Sequence, residues 1–65
     1  MAEVEARAPQ GSIRLVGREH NNEWTIGDFP DNTPESELWE VAHFNRGVGI
    51  EIFAYNDEGK CLFSA

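Results

Sequence analysis

The sequence predicts a small α+β domain in which one helix packs on an antiparallel sheet. Three observations favour this class: residues 48–55 alternate along an extended chain, residues 33–37 carry the chemistry of a helix start, and turn-forming residues separate two pairs of extended apolar segments. The predicted order over residues 13–65 is strand, strand, helix, strand, strand. If residues 38–44 were extended, the chain would instead form a small all-β five-stranded barrel or meander, and this alternative stays open.

Residues 1–12 are set apart from the rest of the chain by their composition. Charged and small residues alternate around Pro9 and Gly11, and no apolar face is sustained. Terminal segments of this kind lack the burial that orders a chain. We therefore expect a flexible N-terminal tail over 1–12, followed by a single α+β domain over 13–65.

The first two strands are predicted over Ile13–Arg18 and Glu23–Phe29. The segment Glu19–Asn22 between them contains two asparagines, which tolerate the left-handed backbone of a hairpin turn. Strict alternation in the second strand sorts its side chains into two faces, Trp24 with Ile26 and Thr25 with Phe29.

The helix is predicted from about Pro34 to Asn45. Thr33 offers a hydroxyl that can cap the first amide groups, and Pro34 suits the first helical position because it has no amide to lose. The carboxylates of Glu35 and Glu37 favour the positive end of the helix dipole. One short apolar stripe follows helical spacing, with Trp39 and Phe44 off its centre: Leu38, Val41, Ala42 and Asn45.

The C-terminal segment Gly47–Ala65 gives the clearest strand pattern. Asparagine, aspartate and glycine in Asn56–Gly59 indicate a tight reversal between two strands. The alternation puts Val48, Ile50, Ile52 and Ala54 on one face and Gly49, Glu51, Phe53 and Tyr55 on the other. The predicted core is Ile13, Leu15, Trp24, Ile26, Leu38, Val41, Ala42, Ile50, Ile52, Leu62 and Phe63. The opposite sheet face would carry Val16, Phe29, Phe53 and Tyr55, an aromatic surface typical of an interaction site.

The charge of the chain argues against two classes of partner. Its net charge is −7, from 12 acidic and 5 basic side chains. Residues 28–45 hold Asp28, Asp31, Glu35, Glu37 and Glu40 and contain no lysine or arginine. A surface that binds phosphates needs basic residues. We therefore expect no direct binding to nucleic acid and none to an anionic membrane.

Candidate catalytic and metal-binding residues are few. Cys61 is the single cysteine, so no intramolecular disulfide can form, and its spacing from His20 and His43 matches no usual zinc pattern. We expect no enzymatic activity, metal or cofactor. No apolar run approaches the length of a membrane span and the N-terminus lacks a signal-peptide pattern, so a reducing cytoplasm is the expected location.

These patterns favour a small acidic protein-binding module that inhibits or modulates a partner protein with a basic, for example nucleic-acid-binding, surface. Similar size and acidity are common among small inhibitors, immunity proteins and phage-encoded modulators. The expected partner-binding residues are Asp28, Asp31, Glu35, Glu37, Trp39, Glu40, Phe53 and Tyr55. For Trp39, a position in the core is an equal alternative, and it stays open. One alternative is a structural protein that forms a homodimer through its sheet. A second alternative is a small enzyme or metal protein that uses Glu40, His43 and Cys61.

Overall fold

The computed structural model of the protein describes residues 7–65. Its elements are β1 (Ser12–Glu19), β2 (Asn22–Pro30), α1 (Glu35–Asn45), β3 (Ile50–Tyr55) and β4 (Cys61–Ser64). The four strands form one antiparallel sheet in the order β2-β1-β3-β4, and α1 packs on one face of it. The predicted α+β class is therefore confirmed. The sheet is open and residues 38–44 are helical, so the all-β alternative is wrong.

The first hairpin closes through a turn at His20 and Asn21, where the predicted turn residues lie. His20 adopts a left-handed backbone, with φ of 53°. Histidine is among the residue types that accept this region more readily than most side chains. Both predicted strands lie inside the observed ones, because the alternation that predicts them is local to each strand.

A β-bulge at Ile26 corrects the predicted faces of β2. Leu15 pairs with Gly27 and Val16 with Thr25, so Ile26 is an extra residue in the outer strand. One inserted residue reverses the alternation beyond it. Phe29 therefore packs against the core on the helix side, and its predicted position on the opposite face is wrong.

Trp24 pairs with Gly17 and lies half-buried over it. A Cβ atom at position 17 would come within 2.5 Å of the Trp24 indole ring. Real Cβ atoms do not approach other atoms that closely, so the indole occupies the space that a side chain at position 17 would need. The lack of a side chain at Gly17 thus allows the Trp24 indole of β2 to pack directly on β1.

The helix starts one residue later than predicted, and the expected Thr33 cap is wrong. Pro34 is the N-cap residue: its carbonyl accepts hydrogen bonds from the amides of Glu37 and Leu38, and no side chain caps the helix. The amide of Thr33 instead donates to the carbonyl of Pro30 in the preceding turn. The helix ends at Asn45, as predicted.

The core lies between α1 and the sheet. Ile13, Leu15, Leu38 and Ala54 are buried together, with Ile26, Phe29, Val41 and Phe63 packed against them. Ala42 and Ile52 are also fully buried. Three predicted core residues lie outside this core: Trp24 and Ile50 are only half-buried, and Leu62 is 44% exposed. Leu62 is displaced because it is a second bulge residue, between Cys61 and Phe63, which pair with Tyr55 and Ala54.

The C-terminal hairpin has the predicted turn chemistry but a shorter first strand. The Asn56 side-chain oxygen accepts hydrogen bonds from the amides of Glu58 and Lys60, and Gly59 has φ of +82°. β3 begins at Ile50, because a turn precedes it in which the amide of Ile50 donates to the carbonyl of Gly47. Val48 lies in that turn and is fully exposed, so it does not join the predicted face.

The predicted N-terminal tail is described from residue 7 onward, and residues 1–6 of it lie outside the described residues. The amide of Ala8 donates to the carbonyl of Asn56, and the Gly11 amide donates to the Asp57 carboxylate. Ala8 is buried. This stretch therefore contacts the loop that joins β3 and β4. Within residues 7–65, no helix combines the length and the hydropathy needed to cross a membrane.

Candidate protein-binding surfaces

The predicted partner-binding residues divide between two surfaces on opposite sides of the sheet. The outer side of α1, here called the helix surface, carries Glu35, Glu37, Trp39 and Glu40. The sheet face turned away from α1, here called the sheet surface, carries Asp28, Phe53 and Tyr55 together with Arg14, Val16 and Arg18, as the strand register requires. Asp31 is exposed in the turn after β2. The structure thus does not bring the predicted residues into one site.

On the sheet surface, the aromatic rings are already in contact with a cation from the same chain. The guanidinium carbon of Arg18 lies 4.8 Å from the centre of the Phe53 ring. The Phe53 and Tyr55 rings stack with their centres 6.3 Å apart, and both residues are half-buried. Arg18 also reaches the Glu23 carboxylate at 3.5 Å. A cation over an aromatic face is attracted to it, so the Phe53 ring already has a cation partner within the chain.

An ion pair borders the same surface. Nε of Arg14 donates to Oδ1 of Asp28 at 2.7 Å, and Nη2 of Arg14 donates to Oδ2 at 3.1 Å. The Arg14 hydrogen bond, and secondarily its charge, hold the pKa of the Asp28 carboxyl below its ordinary value, although partial burial opposes them. Asp28 is therefore engaged within the chain, whereas the sequence suggested an acid facing a partner.

On the helix surface, Trp39 is held by two contacts and remains open to solvent. Its ring stacks on Phe63 of β4 with centres 4.3 Å apart and planes 17° apart. Its Nε1 donates to Oε1 of Glu35, one turn earlier, at 3.4 Å. Trp39 is nevertheless 40% exposed. The indole is thus fixed in orientation while part of it stays uncovered.

A shallow groove runs beside Trp39 along the helix surface. It is lined by Trp39, Glu40, His43 and Phe44, which form two neighbouring rows of residues four apart. Its lining is mostly carbon, and Phe44 is 88% exposed. Phe44 is absent from the sequence-predicted site. Its position off the apolar stripe of α1 was the available signal, because an aromatic residue on the outer side of a helix has no core to fill.

The residues considered for catalysis or metal binding do not come together in one place, although Glu40 and His43 are neighbours on α1. His43 lies on α1, whereas Cys61 pairs with Tyr55 and so lies on the opposite side of the sheet. The Cys61 thiol donates to the Phe63 carbonyl at 3.4 Å. In the part of the chain that the structure describes, no three His, Cys, Asp or Glu side chains are grouped so as to hold a metal ion. The geometry offers no support for joint chemistry between His43 and Cys61.

Comparison of the chain with protein-family models, with curated proteins and with solved structures finds no match in any of the three.

Proposed function

We propose that the chain is a small protein-binding module that inhibits or modulates a partner protein by docking its helix surface on a basic surface of that partner. The observation that carries the proposal is the exposure of Trp39 and Phe44 beside the carboxylates of Glu37 and Glu40. A basic nucleic-acid-binding groove on another protein has the complementary chemistry. The solitary Cys61 is consistent with a reducing cytoplasm as the place of binding.

Trp39 has the properties of an interface anchor. Tryptophan is enriched among the residues that contribute most to protein–protein binding. Its stacking on Phe63 and its hydrogen bond to Glu35 already restrict the side chain before any partner arrives. Ordering a side chain on binding costs free energy, so an indole that is already ordered binds at a lower entropic cost.

The acidic residues supply the long-range part of the interaction. Glu35, Glu37 and Glu40 are exposed on α1, and Asp31 is exposed just before it. An array of one charge sign raises the rate of encounter with an oppositely charged surface and disfavours partners of like charge. The sheet surface has a weaker claim, because Asp28 is paired with Arg14 and Phe53 with Arg18.

A pair of matched variants tests this proposal. Glu37→Gln/Glu40→Gln removes two charges from the helix surface, and Glu51→Gln/Glu58→Gln removes two exposed charges elsewhere. A partner captured from the native host is first identified by mass spectrometry and purified, and its binding to each variant is then measured at low and high salt. We expect the helix variant alone to slow association several-fold at low salt.

Equal binding of both double variants at low salt would contradict the proposal, as would a partner without a basic surface. The competing expectation is a homodimer formed through the sheet. Sedimentation of the concentrated chain tests this alternative, which is compatible with partner binding because a dimer can also bind a partner. A stable dimer that buries the sheet and forms no complex with a basic protein would favour the structural alternative.

A further inference from the structure

We infer that the groove lined by Trp39, Glu40, His43 and Phe44 receives an arginine or lysine side chain of the partner protein. This inference rests on the proposed function and names the group that the helix surface recognises. It differs from general charge attraction because it assigns one cation to one place, a groove lined by two aromatic side chains and a carboxylate.

The geometry of the groove suits a cation with a long apolar stem. The groove lining includes the Trp39 indole, which stacks on Phe63 and is 40% exposed, and the Phe44 side chain, which is 88% exposed. Arginine and lysine bury their methylene stems on apolar surfaces and keep the charged group near water or a counter-ion. The carboxylate of Glu40 provides that counter-ion within the groove.

The electrostatics point in the same direction. The face of an indole ring is electron-rich and attracts cations more strongly than the face of any other side chain. The Glu35 carboxylate on the indole N–H adds further negative potential at Trp39. An apolar partner side chain would gain contact area here but would leave the Glu40 carboxylate near carbon without a counter-charge, which costs free energy.

The sheet surface contains the same arrangement with its cation in place. There, the Arg18 guanidinium lies over Phe53 and reaches the Glu23 carboxylate. The groove on the helix surface repeats the aromatic ring and the carboxylate, but none of its lining residues is arginine or lysine. The cation that completes this arrangement would therefore come from a second molecule.

Titration of the ¹⁵N-labelled chain with small peptides tests the inference without the partner. The probe is a blocked pentapeptide with one central arginine between glycine and serine residues. Its control replaces arginine by citrulline, which is neutral and close to isosteric. The indole N–H signals of Trp24 and Trp39 provide an internal comparison, since Trp24 lies over Gly17 in the sheet.

We expect the arginine peptide to shift the Trp39 signal saturably at low salt, with no such shift from the citrulline peptide and none at Trp24. Losing one groove contact should weaken binding by roughly 2- to 5-fold in Glu40→Gln and in Phe44→Ala. The controls Glu58→Gln and Val48→Ala remove an exposed charge and an exposed apolar side chain outside the groove and should bind as the wild type does.

A citrulline peptide that shifts Trp39 as strongly as the arginine peptide would overturn the inference, because the groove would then select shape and not charge. Unchanged affinity in both Glu40→Gln and Phe44→Ala would overturn it too, and so would the absence of any saturable shift at Trp39. These results leave the proposed function standing if the purified partner still distinguishes the two double variants. If the peptide binds as expected but the partner does not distinguish them, the proposed function alone fails.

Discussion

The helix surface and the sheet surface both carry aromatic rings and carboxylates, but the two surfaces are completed differently. On the sheet surface, Arg18 lies over Phe53, and both aromatic residues there are half-buried. On the helix surface, Trp39 and Phe44 line a groove with the Glu40 carboxylate, and among the described residues no arginine or lysine lines it. Two surfaces of similar amino-acid composition thus differ in one respect: an arginine of the same chain lies over an aromatic ring on the sheet surface, and none lines the groove on the helix surface in the described part of the chain.

Whether an aromatic patch is available to a partner depends on the cations that lie near it in the fold. The pattern of Phe53 and Tyr55 along β3 predicted an exposed interaction face, yet the neighbouring strand β1 provides Arg18, whose guanidinium lies over Phe53. Within residues 7–65, no arginine or lysine lines the groove on the helix surface. Four predictions test the contrast, beginning with the contact on which the helix surface depends.

Leu38→Ala should have the largest effect. Leu38 is 3% exposed and attaches α1 to the sheet, so its truncation should lower the free energy of unfolding by about 2–5 kcal/mol. For a domain of this size, that is most of its stability. Urea denaturation followed by circular dichroism measures the loss, with Ser36→Ala on the exposed side of α1 as the control. A helix that detaches while the sheet stays folded would show that the two surfaces are independent.

Gly17→Ala should be the next most damaging change. A methyl group at position 17 would overlap the Trp24 indole, and such overpacking costs about 1–3 kcal/mol. Gly27→Ala is the matched control, because the nearest atom to a Cβ there is 3.4 Å away, on Phe29. Thermal unfolding and Trp24 fluorescence report both variants. Equal stability of the two would mean that the indole moves aside without cost and that β1 tolerates a side chain on its helix side.

Phe53→Ala and Phe44→Ala compare the two surfaces directly. Phe53 is half-buried under Arg18, so its truncation should cost about 1–2 kcal/mol of stability. Phe44 is 88% exposed, and its truncation should change stability by less than about 0.5 kcal/mol. Chemical denaturation of both variants gives the comparison. A larger loss of stability in Phe44→Ala would mean that this ring stabilises the fold and is not available to a partner.

Asp28→Asn should have the smallest effect, and the effect should depend on pH. Arg14 lowers the pKa of Asp28 from its ordinary value of 3.8, so the ionised carboxylate stabilises the fold above that pH. The stabilisation is lost as pH falls through the lowered pKa. We therefore expect the variant to be less stable than the wild type by about 1 kcal/mol or less at pH 7, and the difference to shrink below about pH 4.

Urea denaturation at several pH values measures this difference. Ser36→Ala, an exposed change on α1 that alters no ionisable group, is the control, and its difference from the wild type should stay constant over the same pH range. A difference between wild type and Asp28→Asn that stays constant from pH 7 to pH 2 would contradict the ion pair as its cause.

Much of the fold follows from local sequence patterns. The alternation around β1 and β3, the turn residues at Asn56–Gly59 and the helix spacing from Leu38 to Asn45 each depend on neighbouring residues only. The bulge at Ile26 could not be predicted in this way, because an extra residue in one strand is defined by its pairing with another. The error in the face of Phe29 follows directly from that missing pairing.

Only part of the candidate site could be predicted, again because local patterns do not show contacts between residues far apart in the sequence. Helical spacing separates Glu37 and Glu40 from the stripe of Leu38 and Ala42, whereas Glu35, three residues before Leu38, follows the line of that stripe and is exposed in the first turn of α1. The sequence could not decide whether Trp39 is a core or an interface residue, because the answer depends on its contact with Phe63, which is far away in the sequence. The structure gives Trp39 both characters: one contact with Phe63 toward the core and 40% exposure toward solvent.

The two bulges also affect how copies of the chain meet one another. Ile26 and Leu62 lie in β2 and β4, the outermost strands of an open sheet. A regular edge strand is a template for pairing with another molecule, and an inserted residue interrupts its row of hydrogen-bonding groups. Neither edge therefore offers a continuous ladder to a second copy. Interrupted edges of this kind are one way in which open sheets limit edge-to-edge pairing between copies.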